Sequence, residues 1–133
     1  MKSYPLVTKR KIRIAVVGCG RISKNHFASI EKHKDNIELV SICDAQQSVL
    51  SEHESAYKVK GYLELSDMLE NEELDLVVIC TPSGIHADQT ELCAKHKINV
   101  MTEKPMATRW SDGVRMVRAC LLYTSPSPRD KRQ

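Results

Sequence analysis

No apolar run in this chain approaches membrane-spanning length, and the N-terminus lacks the apolar core of a secretory signal. A membrane partner is therefore not expected, and the reading is a cytoplasmic protein. The five cysteines (Cys19, Cys43, Cys80, Cys93, Cys120) form no Cys-x-x-Cys pair and show no metal-ligand spacing, so no metal site is expected. Cys43 and Cys80 sit inside apolar runs, where a reduced thiol packs as a small hydrophobe. There is no internal repeat. The basic excess is small and local: Lys9, Arg10, Lys11 and Arg13 precede the first apolar run, and Arg129, Lys131 and Arg132 lie near the end. That distribution describes solvated faces rather than a nucleic-acid patch.

What is present suits one soluble domain: 133 residues, 41% apolar and 28% charged. Its organising stretch is Ile12 to Ser23, an apolar β-branched run that stops at Gly18-Cys19-Gly20 and passes into a helix-compatible segment, Arg21-Ile22-Ser23 onward. Strand, glycine turn and helix in that order suit a dinucleotide pyrophosphate. The chain turns tightly at Gly18, the bare Gly20 admits the phosphates, and the helix start offers N–H groups. Ser23 occupies the third small position of the pattern. A second apolar run, Ile37 to Cys43, ends at Asp44, about 20 residues past the turn, where a ribose-binding carboxylate is expected. Asp44 can also simply cap the next helix; the context favours the ribose. No arginine follows it directly, which favours NAD over NADP.

Further along, strands are expected at residues 59–62, 74–80 and 98–102. Helices are expected at about 22–34, 45–57, 65–71, 85–96 and 111–119, with Ile22, Phe27 and Ile30 facing the sheet in the first, and Val49 and Ala56 in the second. Ser66 with Asp67, and Ser111 with Asp112, are candidate helix caps. Alternating strands and helices give an α/β fold with a doubly wound parallel sheet. Residues 1–11 read as a polar leader and 12–119 as the domain. Residues 120–133, beginning Cys-Leu-Leu-Tyr-Thr-Ser-Pro-Ser-Pro-Arg-Asp, break the helix and resemble the conceptual translation of a sequencing adapter, so they are set aside as a non-native tail.

In an open parallel sheet, ligands lie beyond the carboxyl ends of the strands. Four candidate groups fall there: Gly18 to Ser23, Asp44, Thr81-Pro82-Ser83 and Glu103-Lys104-Pro105. Thr81 and Pro82 can touch the nicotinamide ribose or can merely end a strand. Lys104 can hydrogen-bond a reacting hydroxyl and help move a proton, or can belong to a surface turn. His86 is either part of a helix start or a cofactor or substrate contact. His26, His33, His53 and His96 show no ligand pairing and read as helix-surface or partly packed residues.

Together, Val-Val-Gly-Cys-Gly-Arg-Ile-Ser with His26, Asp44, Cys-Thr-Pro-Ser-Gly-Ile-His and Thr-Glu-Lys-Pro-Met-Ala resemble the Gfo/Idh/MocA oxidoreductases over residues 12–119. The resemblance implies a Rossmann domain that binds NAD through Gly18, Cys19, Gly20, Arg21, Ile22, Asp44, Thr81, Pro82, Ser83, His86, Glu103 and Lys104, with Lys104 matching the family's catalytic lysine. Within the family, the segments at 81–86 and 102–110 look most like enzymes that oxidise the C3 hydroxyl of UDP-N-acetylglucosaminuronate on the way to lipopolysaccharide sugars. A small-molecule sugar or nucleotide-sugar substrate is thereby implied. Family members add a second domain that shapes the sugar pocket and builds the oligomer. Here that domain and the last Rossmann strand are missing, so the segment alone is expected to be inactive, with an unpaired sheet edge and uncovered apolar helix faces. Another sugar or inositol dehydrogenase, or a non-catalytic NAD-sensing module, are the alternatives.

Overall fold

The computed structural model describes residues 6–124; the Ser-Pro part of the tail lies outside them. Five strands form one parallel sheet in the order β3-β2-β1-β4-β5. They are β1 (Ile12–Val17), β2 (Ile37–Cys43), β3 (Lys60–Tyr62), β4 (Leu76–Ile79) and β5 (Asn99–Thr102). The helices are α1 (Ser23–Lys32), α2 (Gln47–Tyr57), α3 (Leu65–Asn71), α4 (His86–Lys95) and α5 (Trp110–Ala119), with a 3₁₀ turn at Ser83–Ile85.

Alternation along β1 divides the interior in two. Ile14 and Val16 face one way and pack with Phe27 and Ile30 of α1, Leu50 of α2, Ile42 and Val78. Ala15 and Val17 face the other way, against Leu65, Met68 and Leu69 of α3 and Cys93 of α4. Strands buried on both faces require near-continuous apolar sequence, which is what β1 and β4 carry. The order reverses direction between β1 and β4, so the carboxyl ends of these two strands flank a natural crevice.

Several local expectations are corrected. Ile22 does not face the sheet; it is 42% exposed, because α1 starts at Ser23 and its inward stripe is Ser23, Phe27 and Ile30. Ala56 is exposed and Leu50, at 2%, is the inward anchor of α2, with Val49 packed partly beside it. Neither expected pair caps its helix: α3 follows Glu64 and α5 follows Arg109, both extended residues without a side-chain cap bond. Asp112 is instead buried in the first turn of α5, bonded by Arg109 (3.2 Å) and Arg115 (3.1 Å). The chain also does not break at Cys120; a wide helical turn continues over Cys120–Thr124. Among the described residues β5 is an outer strand of the sheet, Met101 is 49% exposed, and Val117 on α5 is 51% exposed.

Candidate functional site

A cleft of about 450 Å³ opens over the carboxyl ends of β1, β2 and β4, lined by Gly18, Gly20, Asp44, Thr81 and Pro82 among others. The two glycines that frame it have different jobs. Gly18 has φ +88°, and a Cβ there would come within 2.9 Å of the Cys80 carbonyl carbon and the Thr81 nitrogen. It lets the turn close against the end of β4. Gly20 has nothing within 4 Å of its would-be Cβ, so it presents bare backbone to the cleft. Among the described residues no acceptor takes the N–H of Gly20, Arg21 or Ile22. Unpaired donors at a helix start, in a positive local potential, suit an anion. Ser23 supports the turn from below, fully buried, its hydroxyl donating to the Gly20 carbonyl at 2.5 Å.

Asp44 borders the cleft beside the glycine loop. One carboxylate oxygen accepts the Cys19 N–H and the other the Gln46 N–H, each at 2.8 Å. The second bond closes a turn ahead of α2, whose N-cap is Gln46 without a side-chain cap bond, so Asp44 does not cap that helix. The first holds the carboxylate against the glycine loop, leaving the remaining lone pairs free for ribose hydroxyls. Cys19 offers the site only its backbone: its side chain is buried with Sγ 3.8 Å from the Cys43 carbonyl oxygen, and burial pushes the thiol up to about 12.

At the end of β4, Thr81 and Pro82 both line the cleft, and the Thr81 hydroxyl donates to Gln89 of α4 at 2.5 Å. Ser83, Arg21, Ile22, Glu103 and Lys104 do not line it. His86 is corrected to a structural role. It is 1% exposed, with Nε2 2.7 Å from the Thr81 carbonyl oxygen and Nδ1 3.1 Å from that of Met106. It staples the Thr-Pro loop to the segment after β5. Lys104 stands at the end of β5, joined to Pro105 by a cis peptide bond; its Nζ has no ion-pair or hydrogen-bond partner among the described residues. Glu103 beside it reaches His26 of α1 at 2.6 Å.

Sequence reasoning missed part of the wall. Leu63, Glu64 and Leu65 after β3, Ala45 and Gln46 after β2, and Ile85 and Gln89 before and within α4 complete the cleft. The residues after β3 were findable, since they follow the carboxyl end of a third strand. The His26–Glu103 contact had no local signal.

Residues 12–121 match the oxidoreductase family described as having an NAD-binding Rossmann fold, Gfo/Idh/MocA. The chain belongs to this family. The glycine cradle, the free N–H groups and Asp44 fit the NAD that a Gfo/Idh/MocA domain binds. Among curated Gfo/Idh/MocA relatives, D-apiose dehydrogenase of Paraburkholderia graminis is 32% identical over 89% of the chain and 32% of its own length. Myo-inositol 2-dehydrogenase of Thermotoga maritima is 32% identical over 80% and 32%. Among solved structures, the WlbA dehydrogenase of Chromobacterium violaceum, in complex with NADH and UDP-GlcNAcA, superposes with a TM-score of 0.87 at 47% identity, over 90% of this chain and 35% of that one. The Bordetella pertussis WlbA, with the same ligands, gives 0.85 at 50% identity, over 86% and 34%. The chain thus spans about a third of the length of its relatives.

Proposed function

We propose that this chain is the cofactor-binding part of an NAD-dependent dehydrogenase that oxidises the C3 hydroxyl of a UDP-linked N-acetylhexosaminuronate, in the making of bacterial lipopolysaccharide sugars. The observation that carries the cofactor part is Asp44 locked by the Cys19 N–H beside the bare backbone of Gly20. Its carboxylate receives ribose hydroxyls and repels a 2′-phosphate, so NAD is favoured over NADP. The substrate part draws on the 47% and 50% identities to WlbA, well above the 32% identity to the inositol and apiose enzymes named above.

The chemistry asks little of this chain. Bound NAD supplies the two-electron acceptor for the carbinol carbon. Gly20 and the start of α1 hold the pyrophosphate, Asp44 orients the adenosine ribose, and Thr81 with Pro82 borders the nicotinamide side. Lys104, with Nζ unpaired, hydrogen-bonds the reacting hydroxyl and, as the amine, takes up its proton while the carbonyl forms. An unpaired lysine at that strand end speaks for an enzyme over a module that only senses NAD, which needs no such group.

Calorimetric titration with NAD and NADP tests the cofactor reading. NAD binding tighter than NADP, with the gap narrowed by Asp44→Asn, is the expected result; equal affinities, or none, refute it. Titrating an NAD-loaded protein that carries this segment together with a sugar-binding domain, with UDP-GlcNAcA and with myo-inositol, tests the substrate. A preference for inositol would move the assignment to the inositol branch.

A further inference from the structure

His26 has no part in the roles above. It lies on the first turn of α1, the helix that follows the glycine loop, yet its ring serves another strand end. Nε2 donates to Oε1 of Glu103 at 2.6 Å, across 77 residues of sequence, with side chains 22% and 24% exposed. Two strand spacings, about 10 Å, separate β1 from β5 in the sheet. Side chains alone bridge that gap here.

Glu103 is held from other directions as well. Its backbone N–H donates to the Ile79 carbonyl at 2.9 Å, and its second carboxylate oxygen accepts the Lys104 N–H at 3.3 Å. The hydrogen bond from His26, then that backbone bond, hold its carboxyl below the ordinary carboxylate range, so a full charge is in place at neutral pH. A charged carboxylate beside Lys104 is the natural counter-ion for the ammonium. It turns to His26 instead, and although the Lys104 charge still acts on the carboxylate, Nζ makes no ion pair or hydrogen bond among the described residues.

We propose that His26 is a positioning residue. By engaging Glu103 it fixes the Lys104 turn relative to the phosphate-binding helix and keeps the neighbouring carboxylate off the lysine ammonium. The proposal rests on the cofactor reading above, which assigns the Lys104 turn to the nicotinamide end and the glycine loop to the pyrophosphate and adenosine end. The two ends of one ligand are thereby placed by a single side-chain bond. A purely structural His26 would affect both ends alike.

The test is the ratio of affinities for NADH and for ADP-ribose, which lacks nicotinamide, measured calorimetrically on the full chain. His26→Leu is expected to leave ADP-ribose affinity within about twofold and to weaken NADH by about tenfold, the scale of one lost charge-assisted hydrogen bond. His26→Gln, whose amide can still donate to Glu103, is expected to recover most of the ratio. If His26→Leu does not fold, Glu103→Ala at its half-buried turn carries the same expectation for the ratio. Equal weakening of both ligands, no change in either, or no recovery with glutamine overturns the proposal. A wild-type chain that binds neither ligand overturns the cofactor reading itself, and this proposal with it. Wild-type binding of both ligands with an unmoved ratio in the variants rejects His26 alone.

Discussion

Gly18 and Gly20 stand two residues apart in one turn, and alanine should do opposite things at each. At Gly18 the backbone is left-handed, which costs a residue with a Cβ about 1–2 kcal/mol. The new methyl would also meet two backbone atoms of the β4 end at 2.9 Å, well inside van der Waals contact, and backbone there is pinned by the Cys80 N–H bond to Val17 at 2.7 Å. Overpacking of that kind adds about 1–3 kcal/mol, so Gly18→Ala should lose roughly 2–5 kcal/mol of folding stability. For a domain of this size that is a fall in Tm of about 10 °C or more. At Gly20 no atom lies within 4 Å and φ is not positive. Gly20→Ala should therefore leave Tm unchanged or raise it slightly, since alanine restricts the unfolded chain by about 0.4–1 kcal/mol. Its methyl instead fills the space where pyrophosphate approaches, and NAD affinity should drop at least about tenfold, or 1.4 kcal/mol. Differential scanning fluorimetry with and without NAD reads both effects. A Gly18→Ala protein that melts like wild type, or a Gly20→Ala protein that keeps its NAD affinity, would refute the division of labour.

Other outcomes follow from particular bonds. Asp44→Asn keeps one carbonyl acceptor but not two, so one of the Cys19 and Gln46 N–H groups loses its partner; a loss of about 1–2 kcal/mol is expected by urea unfolding. Asp75 has its carboxyl held below its ordinary value by Arg10 first, in a two-pronged pair at 2.6 and 2.9 Å, and by the Arg13 N–H. A depressed folded value means the unfolded chain binds that proton more readily. The contribution is whole above the unfolded pKa of about 3.9 and is lost as pH falls through the lower folded value. Melting curves of wild type and Asp75→Asn should converge at the acid end; a constant gap down to low pH would contradict this. The thiols of Cys19, Cys43 and Cys93 are pushed up to about 12 by burial and that of Cys80 to about 11. Iodoacetamide at neutral pH should spare all four in the native protein and label them in urea, as peptide mass spectrometry would show; native labelling as fast as in urea would contradict the burial.

Much of the site was legible because it is written in short contiguous signals. An apolar run into Gly18 and Gly20, an acid after the second run, and a Thr-Pro after the fourth each announce a strand end, and a parallel sheet gathers strand ends on one edge. What stayed hidden depends on helix phase or on distance. Ile22 looked inward because it adjoins the apolar stripe, but a start one residue later rotates it outward. His86 read as a site residue from its neighbourhood, whereas two carbonyls from different loops claim its ring. His26 and Glu103 each resemble surface residues, and only the crossing of β4 brings them together.

The strand order has a consequence for a chain made from its N-terminus. β1 lies at the centre of the sheet, yet its partner on one side, β4, is made later and ends only at Ile79. Until then a β-branched apolar segment has one ladder edge bare on a growing polypeptide. Pairing at such separation is slow and exposes the nascent chain to aggregation. The strand that anchors the finished sheet is thus one whose second edge is covered only after three helices and two further strands have been made.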